Sequence, residues 1–225
     1  MTLPPPSVEK VLAKLFHAQR EARSFADEIA AEPPEMVLPV LVQAIEQARS
    51  RPSEEDRILE LEAVAQILGE MEGPRAVDAL VDILGSEEPA ARHAAGLVLE
   101  EVAFERFKEV ALAIERALRD LPADHVALTE LPYLLIDVPE PGVVKLLHKF
   151  LDHPSEEVVA AAIEACVEVG DPSIIQSLVH LEKDTRVVEL DEEEETQGPS
   201  AAVTIGELAK EARLMLETLG PGERP

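Results

Sequence analysis

An apolar phrase spaced for one helix face recurs along this chain, and its recurrence limits the possible folds more than any other feature. The phrase reads Leu38, Leu41, Val42, Ile45; then Val77, Leu80, Val81, Leu84; then Val110, Ala113, Ile114, Ala117. It continues through Val143, Leu146, Leu147, Phe150 and ends with Ile174, Ser177, Leu178, Leu181. Each set follows the i, i+3, i+4, i+7 rule, which places four side chains on one stripe of a helix. Successive sets begin 39, 33, 33 and 31 residues apart. That period belongs to a stack of helical units, each of which buries its apolar face only against its neighbours.

A second apolar helix follows each phrase. Ala91, Ala94, Ala95, Val98, Leu99 and Val102 match Val158, Ala161, Ala162, Ala165, Cys166 and Val169 position for position. Ala63, Val64, Ile67, Leu68 and Met71 form the corresponding set in the first unit, and Leu131, Leu134, Leu135 and Val138 in the third. The last set is Leu208, Ala212, Met215, Leu216 and Leu219. Paired alanines let helix axes approach closely, while the leucines of the first helices fill the space between units. With 46% hydrophobic residues, 3% aromatics and no Trp, the composition suits such packing and predicts an all-α chain. Prolines at 33, 34, 52, 74, 89, 122, 139, 141, 154, 172 and 199 fall where helices start or stop.

Ser7 precedes the stripe Val8, Val11, Leu12, Leu15, Phe16, which continues more sparsely through Ala22, Phe25, Ala26 and Ile29. With Ser7 as N-cap, this predicts a long N-terminal helix, within residues 1–33, that covers the open end of the stack. Units follow near 34–72, 73–104, 105–138, 139–170 and 171–220, with 221–225 as an unstructured tail. Pro132 removes a backbone donor inside a second helix, so that helix should break near Leu131. Between the last two helices, residues 183–198 replace a short turn. Six of the seven residues from Glu189 to Glu195 are carboxylates, which predicts a solvated, mobile acidic insert. On that reading, deleting residues 187–197 should leave helicity and melting nearly unchanged.

Two segments carry a family resemblance. Gly73-Pro74-Arg75-Ala76-Val77-Asp78-Ala79-Leu80 with Glu87-Glu88-Pro89-Ala90-Ala91-Arg92-His93-Ala94-Ala95, and Gly170-Asp171-Pro172-Ser173-Ile174-Ile175, resemble bacterial HEAT-type repeats of the PBS-lyase kind. The resemblance spans roughly residues 34–220. It implies a right-handed α-solenoid of about five antiparallel two-helix repeats whose second helices line the concave, partner-binding side.

Lys and Arg number 20 against 46 Asp and Glu, a formal charge of −26. Such a field repels phosphate backbones and anionic lipid, so neither nucleic acid nor a membrane surface is expected as a partner. The acidity also keeps an Ala/Leu-rich stack in solution, and a basic protein partner is the sharper reading of it. No leader-like segment or membrane span stands out, so a cytoplasmic protein is expected. Cys166 lies on an apolar helix face and reads as a packed thiol. The six histidines show no metal-ligand spacing and read as isolated surface or groove-edge residues, with His93 and His125 near the starts of second helices. Phosphate-cradling glycine loops and nucleophile elbows are absent. No catalytic residue, cofactor or metal is therefore assigned.

The expected function is that of a non-enzymatic adaptor binding another protein. Residues off the apolar stripes are the candidates: Arg92, His93, Glu100, Glu164, Glu168, Lys210 and Arg213, joined by Glu189, Asp191, Glu192, Glu193, Glu194 and Glu195 of the insert. The alternative implied by the resemblance is a bilin-lyase-type or other small-ligand-binding HEAT-repeat enzyme. The register itself is open to test. Leu80→Ala should cost ~2–5 kcal/mol in a denaturant titration, because Leu80 sits at the centre of its buried stripe.

Overall fold

The structure is a computed structural model and describes residues 8–190 and 201–218. Its helices are α1 (Val8–Ala30), α2 (Pro34–Arg49), α3 (Glu54–Glu70), α4 (Pro74–Leu84) and α5 (Pro89–Asp120). There follow α6 (Ala127–Glu130), a 3-10 turn (Tyr133–Leu135), α7 (Gly142–Leu151), α8 (Glu156–Val169), a second 3-10 turn (Pro172–Ile174) and α9 (Ile175–Leu181). Strands β1 (Val187–Leu190) and β2 (Ala201–Thr204) precede α10 (Ile205–Thr218). Most helices pack on the next in sequence and on the helix two places along: α1 on α3, α2 on α4, α3 on α5, α4 on α6, α5 on α7, α6 on α8 and α8 on α10.

Local signals explain where the helices begin and end. Ser53 Oγ accepts from the Asp56 N–H at 3.3 Å, and Glu54, Glu55 and Asp56 complement the helix dipole in the first turn of α3. Ser155 caps α8 in the same way, through the Val158 N–H at 3.5 Å. Prolines occupy the first turns of α2, α4 and α5, where a missing N–H costs nothing. At the far end of α8, Gly170 takes the left-handed conformation (φ 67°) that closes the helix.

The helices on either side of residue 104 run as a single element, α5, broken at Arg106 (φ −131°, ψ 45°). The break turns the Arg106 guanidinium onto the end of α3, where it donates to the Met71 carbonyl at 2.7 Å and the Gly69 carbonyl at 2.8 Å. Glu109, 3.6 Å from Arg106, accepts from the Gly73 N–H at 3.0 Å. One ion pair thus satisfies carbonyls that end α3 and an N–H that begins α4. At Pro132 the expected second helix breaks into α6 and a 3-10 turn.

The core follows the recurring phrase. Val77, Leu80, Val81 and Leu84, then Val110, Ala113, Ile114 and Ala117, then Val143, Leu146, Leu147 and Phe150 are all buried. Within the first-helix sets, Val42 is exposed and Ser177 and Leu181 are half-buried. Among second helices, Ala63 and Met215 face outward, while Leu219, Ser7 and the 221–225 tail lie outside the described residues.

Two expectations are corrected. The N-terminal helix forms but caps little: none of its residues is buried, and only Ala26 and Ala30 pack partly against the core. Val8, Val11, Leu12, Leu15, Phe16, Phe25 and Ile29 all stay exposed. Nor is the chain wholly helical, because the start of the acidic insert pairs as an antiparallel hairpin, Val187 opposite Thr204, Val188 opposite Val203 and Glu189 opposite Ala202. β-branched residues on both strands favour that pairing. Val188 is 7% exposed and belongs to the core. Gly206 lets the chain close behind the hairpin, since a Cβ there would lie 2.6 Å from the Glu182 carbonyl oxygen.

Residues 187–197 are therefore not dispensable as a block. Val188→Asp should lower stability by roughly 2–4 kcal/mol by burying a carboxylate, whereas Val187→Asp, one residue away on the exposed face, should leave the melting temperature within about a degree. Paired thermal melts check the contrast.

Candidate partner-binding groove

The break at Pro132 leaves a short element beside α8, and a groove of about 370 Å³ opens there, flanked on its other side by α10. Ile163 and Val167 of α8 form its floor, and Leu208, Ala212 and Met215 of α10 form one wall. Tyr133 closes the opposite wall. Glu164, Glu168 and Glu211 stand along its edges, all exposed. Apolar contact surface is thus rimmed by charge of one sign.

Tyr133 is the only tyrosine of the chain and donates its hydroxyl to Glu164 Oε2 at 2.6 Å. Burial, then the hydrogen bond to Glu164 and the charges of Glu164 and Glu130, push its pKa above the ordinary value, so the ring stays neutral and donating. This contact fixes one rim carboxylate against one wall.

The predicted site residues divide into four groups. Glu164 and Glu168 are brought together in this groove. Arg92 and Arg213 are committed internally. Arg92 donates to the Ser86 carbonyl at 3.0 Å and the Glu87 carbonyl at 3.1 Å and lies 3.5 Å from Glu130. Arg213 is held by Glu182 at 2.5 Å and Glu217 at 2.8 Å, and both raise its pKa. His93, Glu100 and Lys210 are exposed on their helices but do not line the groove, and Glu189 is exposed on β1. Asp191, Glu192, Glu193, Glu194 and Glu195 lie outside the described residues.

Tyr133, Glu211 and the outward turn of Met215 are absent from the sequence reading. The signal that could have found them is Pro132, which marks where a full helix gives way to α6 and a 3-10 turn.

A second groove, of about 570 Å³, lies between α1, α3 and α5, with Ala22, Ala26, Val98 and Val102 inside it. Its edge mixes Arg23 with Asp27, Glu70, Glu101 and Glu105, so it offers no single-signed rim.

His153 corrects the reading of the histidines as surface or groove-edge residues, because it is 8% exposed. Its Nδ1 accepts from the Ser155 N–H at 3.2 Å, and its backbone carbonyl accepts from Arg186 at 2.9 Å. His125 Nδ1 likewise accepts from the Ala127 N–H at 3.2 Å, and its ring lines a separate cavity with Asp78, Asp82 and Arg116. Cys166 is fully buried, and burial pushes its thiol up to about 12, which keeps it protonated and inert. Among the described residues no His, Cys, Asp and Glu side chains gather as a metal site, and no helix is long and apolar enough to cross a membrane.

No protein-family model matches the sequence, and no curated protein matches it. A crystal structure of an engineered protein, a target of the Northeast Structural Genomics Consortium, is similar at 19% identity and a TM-score of 0.31. The match covers 88% of this chain and 89% of that one, at a likeness too distant to bear on function.

Desolvation first, and the neighbouring Arg186 charge second, lower the His153 pKa below its ordinary 6.5. The unfolded chain therefore takes up a proton that the folded chain resists, and stability falls as pH drops through about 6.5. Melting temperature measured from pH 7.5 to 5.5 should decline in the natural chain. In His153→Asn, whose Oδ1 can still accept from Ser155, the slope over that window should flatten.

Proposed function

We propose that this chain is a HEAT-type solenoid acting as a non-enzymatic adaptor, which holds a basic amphipathic helix of another protein in the groove between Tyr133, α8 and α10. The observation that carries this reading is the pairing of apolar walls (Ile163, Val167, Leu208, Met215) with an all-acidic rim (Glu164, Glu168, Glu211). An amphipathic helix laid in such a groove buries its apolar face, while lysines and arginines beside that face meet the rim carboxylates. Met215, 46% exposed and unbranched, can adjust to different apolar side chains. The formal charge of −26 steers a basic segment toward the protein and falls off with added salt.

The HEAT resemblance supports the same reading, since it implies that second helices line the binding side, and α8 and α10 are second helices. Among the described residues Glu168 and Glu211 make no hydrogen bond or ion pair, and both are exposed, so charge reversal tests the rim without unfolding the chain.

The test uses a fluorescein-labelled Leu/Lys amphipathic helical peptide and fluorescence anisotropy. The natural chain should bind it, and Glu168→Lys/Glu211→Lys should weaken binding at least about tenfold. Raising salt should also weaken it, and a Leu/Glu peptide of the same pattern should not bind. Equal binding by the natural and charge-reversed chains, or none by either, overturns the assignment of this groove.

A further inference from the structure

The exposed stripe of α1 has a second regularity. Val8, Val11, Leu15, Ala18, Ala22, Phe25 and Ile29 are separated by steps of 3, 4, 3, 4, 3 and 4 residues. That is the seam spacing of two helices wound on each other, and all seven residues are exposed. Ala26 and Ala30, which attach α1 to the rest of the chain, lie on the adjoining face, and of the seam residues Ala22 alone borders the groove against α3 and α5.

The charges of the helix identify what covers it. α1 carries Lys10, Lys14, Arg20 and Arg23 against Glu9, Glu21, Asp27 and Glu28, so it is neutral while the rest of the chain carries the whole excess of acid. Self-association through most of the remaining surface would press like charges together, and through α1 it would not. The charges are also divided along the helix. The half before Glu21 holds Lys10, Lys14 and Arg20 against Glu9, and the half from Glu21 onward holds Arg23 against Glu21, Asp27 and Glu28. An antiparallel pair sets the basic half of each helix beside the acidic half of the other, whereas a parallel pair sets like on like.

We infer that α1 is a self-association element, pairing antiparallel with α1 of a second copy of this chain. In the register that seats Leu15 against the partner's Phe25, Val11 meets the partner's Ile29 and Ala18 meets the partner's Ala22. Lys14 then lies beside the partner's Glu28, a contact that two-fold symmetry makes twice, against a single like-charge meeting of Glu21 with the partner's Glu21 at the axis. The pairing covers Val11, Leu15, Phe25 and Ile29, which a solitary copy leaves in water.

Sedimentation velocity and native mass spectrometry of the full chain test the inference. The natural chain should be a dimer at about 100 μM, and Leu15→Glu should be a monomer with unchanged helicity, since Leu15 makes no buried contact within one copy. Lys14→Glu should weaken the dimer at least about tenfold, and Lys14→Glu/Glu28→Lys should restore it to within about threefold of the natural chain. A natural chain that stays monomeric, a dimer that survives Leu15→Glu, or a double variant that fails to recover overturns the antiparallel pairing.

Discussion

Cationic side chains that reach from one helix onto the exposed backbone of a helix or turn about thirty residues before or after it are what the rest of this structure depends on. Stacked helices bury their apolar faces only if the turns between them come close, and those turns end in carbonyls without helical partners. Arg106 covers the end of α3, Arg49 donates to the Asp82 carbonyl at 2.8 Å, and Arg186 donates to the His153 and Pro154 carbonyls at 2.9 and 2.8 Å. Ion pairs add to these links: Arg116 with Asp78, Lys149 with Glu115, Arg213 with Glu182, and Arg57 with the buried Glu88. These partners lie 31 to 38 residues apart, the same step by which the apolar phrase recurs. Polar and apolar contacts therefore repeat together.

This use of cations shapes the remaining surface. Arg92 and Arg213 are spent on carbonyls and carboxylates of their own chain, which leaves the edges of the α8 and α10 groove to Glu164, Glu168 and Glu211. α1, which shares none of these cross-links, keeps its charges in balance and its apolar seam in water.

Much of the fold was legible in the residues. The Val77, Val110 and Val143 sets are buried as their spacing requires, and Pro132 breaks its helix where a proline lacking an N–H must. The groove was half legible. Glu164 and Glu168 lie off the apolar stripe of α8 and so were found, but Tyr133 and Glu211 come from elements 31 and 43 residues away in opposite directions along the chain from Glu168 or Glu164. No local period links them. The absence of metal-ligand spacing makes His153 a surface or groove-edge residue by sequence, and nothing nearby along the chain announces Arg186, which donates to its backbone carbonyl from 33 residues away.

The sequence by itself determined which faces are apolar and where helices start and stop, because spacing, caps and prolines act over a few residues. Tertiary structure decided which apolar faces find a partner. The stripe of α1 and that of α4 obey the same rule, yet α4 is buried between α3 and α5 whereas α1 rests against α2 and α3 with only Ala26 and Ala30 packed on the core. It also decided that Val187–Leu190, beside a run of carboxylates, pairs as a strand, since the partner strand is supplied from the far side of the insert. Periodicity fixes the face a helix offers, and only the assembled neighbours fix whether that face is covered.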